Sequence, residues 1–491
     1  MRVYLTKSGF NRGLQCPLAF HNWWNRVPEE YGEAAQARMD EGTEVGILAQ
    51  QLAPGGFNMN ELDLPPWELA ARTIPLLQKR RPIYEATFVA NSKPKWMCKV
   101  DILVPDDKGW QIWEVKATNS VKEEHIPDLA FQTFVLEQCG LHITQTALVH
   151  LKRDYRRNGA IDVHQLFAVK NVQEEVRNRM AKLGDELHNM YVIGNKKKAP
   201  LVPIGPQCNT PYACAYQYIC WKDFPERDSI FAIPRFGAKA AYYLEKGLYT
   251  LADIDPDDLS EKQYAVWDAH MHNTTVLDKK AIHAFFKEHR YPYYFLDFET
   301  IMPAIPIWDN TGPYMQVPFQ YSIHILEKEG AALQHLDFLD SATGADPRPA
   351  LIEKLISDLG TQGSIWTYNM SFEKKRIEEL ARAFPRFAKP LYAIYDRIAD
   401  LMTPFSNQWY YHPDMQGSNS IKRVLPVLVP GLSYDVLDIH DGSMAMDAFL
   451  RLVKRDPDVV EQKEQTLNNL KAYCALDTLA MVRILEALLK E

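Results

Sequence analysis

Residues 291–300 read YPYYFLDFET, and this stretch decides the class of the C-terminal half. Its apolar run suits a strand buried within a sheet. Side chains on a strand alternate, so Asp297 and Glu299, two apart, point to one face. Two carboxylates ending a buried strand repel each other and lose hydration, a cost that a divalent cation removes. A pair of solvated strand-end acids is the alternative, and the residues downstream weigh against it. GSIWTYNMSFEKKRIEELA at 363–381 reads as strand, turn and helix; Asp400 follows in IADLM; LKAYCALDTLAMVRIL at 470–485 reads as helix. Tyr473 and Asp477 stand four apart on that helix, so a phenol and a carboxylate share a face and reach one site together. An α/β domain over 289–491 is expected.

Working outward, residues 231–285 look helical, with a Gly-containing turn at Glu245–Tyr249, and are expected to link the halves as a helical segment over 226–288. Upstream, KWMCKVDILVPDDKGWQIWEVKAT at 95–118 reads as two strands joined by a turn at Pro105–Gly109, then a helix from about Glu123 to Gly140. Facing strands bring Asp101, Glu114 and Lys116 together. An Asp and a Glu hold Mg²⁺ while a neighbouring Lys polarises water or phosphate, a division of labour suited to phosphodiester hydrolysis. A surface ion pair is the bland reading of Glu-x-Lys taken alone. A first domain over 1–225 is expected.

Of seven cysteines, Cys98 and Cys139 lie in apolar segments and Cys474 in the late helical pattern, whereas Cys208, Cys214 and Cys220 are evenly spaced and Cys16 stands near the start. In a reducing compartment such a cluster argues for metal rather than disulfides. Four thiolates, Cys16 included, satisfy an iron-sulfur cluster or Zn²⁺, and spacing alone does not decide between them.

The chain has 491 residues, more than one core usually organises, so two or three domains are expected. Its 46% hydrophobic and 24% charged content is that of a globular protein, neither disordered nor membrane-embedded. Nothing resembles a signal peptide or a bilayer span, which makes a cytoplasmic location the expectation. A net charge of -8 argues against a wholly basic nucleic-acid coat but leaves room for a local groove. RDYRR at 153–157 and NKKKAP at 195–200 are local basic runs, or simply solvated surface.

The C-terminal constellation resembles the DnaQ-like 3′-to-5′ exonucleases whose last motif is Tyr-x-x-x-Asp, over roughly 290–491. That resemblance implies a ribonuclease H-like fold and two metal ions, Mg²⁺ or Mn²⁺, held by four acids. Asp297 and Glu299 match the first motif and Asp477 the third, with Tyr473 placed to orient or deprotonate the attacking water. The middle motif departs, having Asn369, Phe372 and then Glu373 in place of Asp; Glu373 is expected to coordinate, and Asp400 to be structural or to supply the missing acid. HPDMQGSNSIKRVLP at 412–426 offers Lys422 to a phosphate backbone, or is a polar connection. Asp101, Glu114, Lys116 and Gln132 resemble the RecB-family PD-(D/E)xK nucleases, although Leu136 stands where their helix motif has Tyr. Glu44 occupies the stretch where that family often carries an extra metal ligand. One early and three late cysteines look like the iron-sulfur clamp of AddB-type nucleases, implying a structural [4Fe-4S] cluster.

The expectation is a bifunctional, metal-dependent nuclease acting on DNA that is single-stranded or has free 3′ ends, in repair, recombination or phage defence. RNA-processing exonuclease is the rival enzyme reading. A DNA-end binding module with an inactive site is the rival of another class.

Overall fold

The computed structural model describes residues 4–490, a mixed α/β chain that divides into two compact units. The first runs to Asp223 and includes Ala304–Tyr314; the second comprises Phe224–Pro303 and Met315 onward. The segment expected as a helical linker is counted with the second unit. Its helices Gly237–Glu245 and Glu261–His272 flank a turn at Gly247, where φ is 74°.

The first unit carries a seven-stranded sheet: β1 (Tyr4–Thr6), β2 (Phe57–Asn58), β3 (Ile83–Ala90), β4 (Lys95–Asp106), β5 (Gly109–Lys116), β6 (Ile143–Leu151) and β7 (Phe167–Asn171). β3, β4 and β5 form an antiparallel meander, and β5 pairs parallel with β6 after the helix Ile126–Gln138. That parallel pairing needs a crossover, which the helix supplies. Both sheet faces are covered. Phe88, Val100 and Ile112 pack with Phe10, Trp23 and Phe131 on one side. Tyr84, Ile102 and Val149 pack with Val45 and Ala49 of the helix Glu33–Ala49 on the other. The face changes within β3 at Glu85, whose φ of 55° is a local break in the ladder, so Tyr84 and Ala86 serve opposite cores.

Ala304–Tyr314 docks onto this unit by specific hydrogen bonds. Arg157 donates to the carbonyls of Pro306 at 3.0 Å and Ile307 at 2.6 Å, and the Gly159 N–H donates to Asp309 at 2.7 Å. Arg156 donates to the Arg153 and Tyr155 carbonyls. Two arginines of the basic run 153–157 therefore serve backbone carbonyls.

The second unit holds a two-stranded ribbon of β8 (Val276–Leu277) and β14 (Tyr410–Tyr411), and a five-stranded sheet of β9 (Tyr293–Ile301), β10 (Val317–Leu326), β11 (Gln334–Leu339), β12 (Ser364–Thr367) and β13 (Ile398–Asp400). The order is β11-β10-β9-β12-β13; β10 runs against both neighbours, and β9, β12 and β13 are parallel. β9 is therefore central. Its Tyr294, Leu296 and Phe298 pack with Leu351, Ile377 and Leu380 of the helices Arg348–Leu359 and Ser371–Ala383. Alternation then forces Asp297 and Glu299 to the opposite face. That face meets the helix Lys463–Lys490, tied down where Gln320 of β10 donates to the Leu470 carbonyl at 2.9 Å and Ser322 meets Thr478 at 2.7 Å.

Candidate metal centres

In the second unit β9 delivers Asp297 and Glu299, and the helix Lys463–Lys490 delivers Tyr473, Cys474 and Asp477 to the same place. Ligand atoms of Asp297, Glu299 and Cys474 lie within 4.8 Å of one another. Glu373, in the first turn of the helix Ser371–Ala383, adds its charge to both strand acids. Its carboxylate is 2% exposed, and Oε2 has no hydrogen-bond partner. A buried carboxylate oxygen left unmatched is costly unless a cation meets it.

The titration behaviour repeats the point. Burial, then Asp477 and Glu299 nearby, hold the Asp297 carboxyl well above the usual carboxylate range. Burial and Asp477 do the same to Glu299, with Lys422 opposing. Burial lifts Glu373 to about 8, and it lifts Asp477 to about 6 against the pull of Tyr434 and Lys422. Four acids and one nearby lysine leave a net charge of -3 when all are ionised. One divalent cation leaves -1 of that charge and a second takes it to +1, so the acids accommodate one ion or two.

Asp400 does something else. One carboxylate oxygen accepts from the backbone N–H of Asn369 at 2.9 Å and of Met402 at 3.0 Å. It thereby fixes the left-handed turn at Asn369, φ 71°, from which the Glu373 helix starts. Asp477 accepts a hydrogen bond from Tyr434 at 2.6 Å, and Tyr473, one helical turn earlier, stands beside it. Tyr434 is a site residue that sequence reading missed, since GLSYDVLD carries no periodic or motif signal. Lys422 donates to the His440 carbonyl at 2.7 Å and stands over the Tyr434 ring at 5.5 Å and the Tyr473 ring at 5.8 Å. It lies beside the acids.

In the first unit Asp101 of β4 and Glu114 of β5 are neighbours across the meander, and Asp101 accepts the Val115 N–H at 2.7 Å. Glu114 is buried. Its Oε1 meets Lys7 at 2.6 Å and Lys116 at 2.9 Å, and its Oε2 accepts from Gln132 at 2.5 Å. Lys116 also pairs with Asp128, which accepts from Asn11 at 2.6 Å. Burial raises the Glu114 carboxyl, but the two ammonium groups outweigh it and hold it below the usual range. Asp101 goes the other way: burial and the Glu114 charge push it up to about 7.

Three of these partners were not read from the sequence. Lys7 starts the helix Lys7–Gln15, Asp128 lies one turn before Gln132, and Glu85 sits at the break in β3, where its charge acts on Asp101 and Glu114. Glu44 is a correction. It is exposed on the helix Glu33–Ala49, which packs through Val45 and Ala49 on the face of Trp113 and Val115, whereas Glu114 points to the other face. Glu85 is the further acid found beside Asp101 and Glu114. Glu85, Asp101, Glu114 and Asp128 stand against Lys7, Lys116 and, beside Glu85, Lys99, so acid is in excess by one charge.

Cys16, Cys208, Cys214 and Cys220 line one cavity together with Ile204 and Tyr216. Cys16 sits between the helices Lys7–Gln15 and Pro17–Trp24, and Gln15 donates to the Gln207 carbonyl at 2.8 Å and the Tyr212 carbonyl at 2.7 Å. The chain start is thus bound to a segment nearly two hundred residues away. All four are free thiols.

Comparison with known proteins adds a partial match. Residues 294–420 match a family described as "Domain of unknown function (DUF2779)". That span contains Asp297, Glu299, Glu373 and Asp400 and ends before Asp477. An uncharacterized protein of Mycoplasma pneumoniae is 29% identical over 206 residues, 39% of this chain and 31% of that protein. An uncharacterized protein of Mycoplasma genitalium is 26% identical over 245 residues, 46% of this chain and 34% of its own length. One of Ureaplasma parvum is 26% identical over 215 residues, 39% and 30%. The chain therefore spans about a third of the length of the curated relatives it matches. No solved structure matches it. Among the described residues no helix is long and apolar enough to cross a membrane.

Proposed function

We propose that the second unit is a two-metal 3′-to-5′ exonuclease acting on DNA and that the first is a one-metal nuclease of RecB type stapled by a [4Fe-4S] cluster. The observation that carries the reading is the gathering of Asp297 and Glu299 on a buried strand, with Asp477 and Glu373 near enough to raise both carboxyls and Glu373 Oε2 unmatched. A central first strand, flanked by a reversed second strand and a parallel fourth, is also the arrangement a ribonuclease H-like reading calls for.

Asp297, Glu299, Asp477 and Glu373 would hold two Mg²⁺ or Mn²⁺ ions. Such ions lower the pKa of bound water and stabilise a leaving 3′ oxygen. Tyr473, beside Asp477, would hold the attacking water in line; Tyr434, hydrogen-bonded to the same carboxylate, keeps that acid in one orientation. Lys422 screens the acids and meets a backbone phosphate. Asp400 acts through the turn that aims Glu373.

In the first unit Asp101 and Glu114 would hold one ion, with the Glu85 charge beside them. Lys116, shared between Glu114 and Asp128, is positioned to polarise water or phosphate, and Lys7 supplies a second ammonium group. The four thiols line one cavity, one from the chain start and three from a late segment, the pattern of an iron-sulfur clamp, and a cluster is the group we assign to them.

Purified full chain with Mn²⁺ and single-stranded DNA tests the pair of assignments. Asp297→Asn removes one activity and Lys116→Ala the other; if neither variant changes nucleotide release, the reading is wrong.

A further inference from the structure

The C-terminal centre contains one group that a purely oxygen-ligated, two-metal site does not need. Cys474 is fully buried, directly follows Tyr473, and faces β9. Its Sγ lies within 4.8 Å of a carboxylate oxygen of both Asp297 and Glu299. Its contacts to the Asp297 carbonyl and to Asp297 Oδ2 are both 3.9 Å, at the far limit for a thiol donor. A packing role alone asks only for a small apolar side chain at this point and gives no reason for sulfur to share a space with two acids. Glu373, whose charge acts on the same two acids, has a buried Oε2 with no hydrogen-bond partner, a second and independent group for which a cation is the natural partner.

We propose that Cys474 is a ligand of one ion of this centre, so that one seat is a mixed oxygen and sulfur site that favours thiophilic divalent cations over Mg²⁺. This rests on the metal-centre reading above and adds its selectivity. Mg²⁺ takes oxygen ligands in near-octahedral geometry and gives up water reluctantly, whereas thiolate selects softer ions such as Zn²⁺, Co²⁺ or Cd²⁺. Binding converts Cys–SH and M²⁺ into a Cys–S–M bond with one proton released to solvent, because only the thiolate ligates. No oxidant or reductant is involved.

The test uses Co²⁺ and Cd²⁺ on the full chain, with Cys474→Ser and Asp297→Asn as variants and Cys474→Ala as a guard against misfolding of the serine form. Co²⁺ bound to sulfur absorbs in the near ultraviolet, and contributions from the four N-terminal cysteines are common to all forms and cancel in difference spectra. The expected result is a sulfur-to-cobalt band present in the parent chain and absent from both Cys474 variants and from Asp297→Asn. Cd²⁺ affinity should fall on the order of tenfold or more in the Cys474 variants, with Mg²⁺ affinity unchanged. If Asp297→Asn abolishes Co²⁺ uptake at this centre while the Cys474 variants keep the band, the sulfur assignment is overturned and the centre stands. If Asp297→Asn leaves Co²⁺ uptake untouched, the centre itself fails, and the proposed exonuclease with it.

Discussion

Raising the pH of metal-free protein should destabilise the second unit, and Mn²⁺ should cancel the loss. The Glu373 carboxyl titrates at about 8 in the fold against an ordinary 4.5, because its surroundings are dry and acidic. A carboxyl raised in this way favours the fold fully below its ordinary value, and the contribution is lost as pH climbs toward the folded value. At pH 7, some 2.5 units above 4.5, the loss from Glu373 alone is about 3 kcal/mol at ~1.4 kcal/mol per unit. Asp477, lifted to about 6, adds to the same trend, and the coupled acids share rather than sum their protons. For a unit of this size 3 kcal/mol corresponds to roughly 6–12 °C in Tm. Differential scanning calorimetry of the chelated full chain at pH 5, 6, 7 and 8, repeated in Mn²⁺, reads it directly. The chelated Tm should fall across that range while the Mn²⁺ curve stays nearly flat, and Asp297→Asn should erase the difference. Parallel curves with and without Mn²⁺ would refute the argument that these acids await cations.

Tyr473→Phe should slow nucleotide release while Mn²⁺ binding by titration calorimetry stays intact; lost metal binding would make Tyr473 structural instead. Asp400→Ala should cost about 1–2 kcal/mol in chemical denaturation, because it removes two backbone acceptor bonds at a helix start, and should reduce activity less than Glu373→Ala does. Lys116→Ala should abolish cleavage by the first unit and lower its stability by about 1–3 kcal/mol, since Glu114 keeps Lys7 while Asp128 loses its ammonium partner. Cys214→Ala should bleach a brown, anaerobically purified preparation and destabilise the first unit before the second; a colourless parent protein with one zinc and no iron contradicts the cluster.

What could be read in the sequence was whatever obeyed a short period. Asp297 and Glu299 share a face because strands repeat every two residues, and Tyr473 and Asp477 because helices repeat every 3.6, so both pairs are legible in the sequence. The meander bearing Asp101, Glu114 and Lys116 was equally plain: the strands Lys95–Asp106 and Gly109–Lys116 meet at a two-residue turn. Glu85 was hidden because its place depends on a positive φ that breaks the alternation of IYEATFVA. Lys7 and Tyr434 were hidden because long-range packing alone brings them to their partners, 107 residues away in the case of Lys7 and Glu114, whereas Asp128, one turn before Gln132 and 12 residues from Lys116, lay within reach of helical spacing. The eleven residues Ala304–Tyr314 belong to the first unit although both flanks belong to the second, a placement made by Arg157 and Gly159 and invisible to local pattern. Glu44 failed for a related reason: its position along the chain matched, but its helix covers the wrong sheet face.

Single-stranded DNA labelled at its 5′ end, incubated with Mn²⁺ and a full chain carrying Lys116→Ala to silence the first unit, puts the central claim to the most direct test. A ladder of labelled products shortening progressively from the 3′ side, lost when Asp297→Asn is added, is the result the four converging acids require. Labelled 5′ mononucleotide as the earliest product, or a ladder that survives Asp297→Asn, would contradict it.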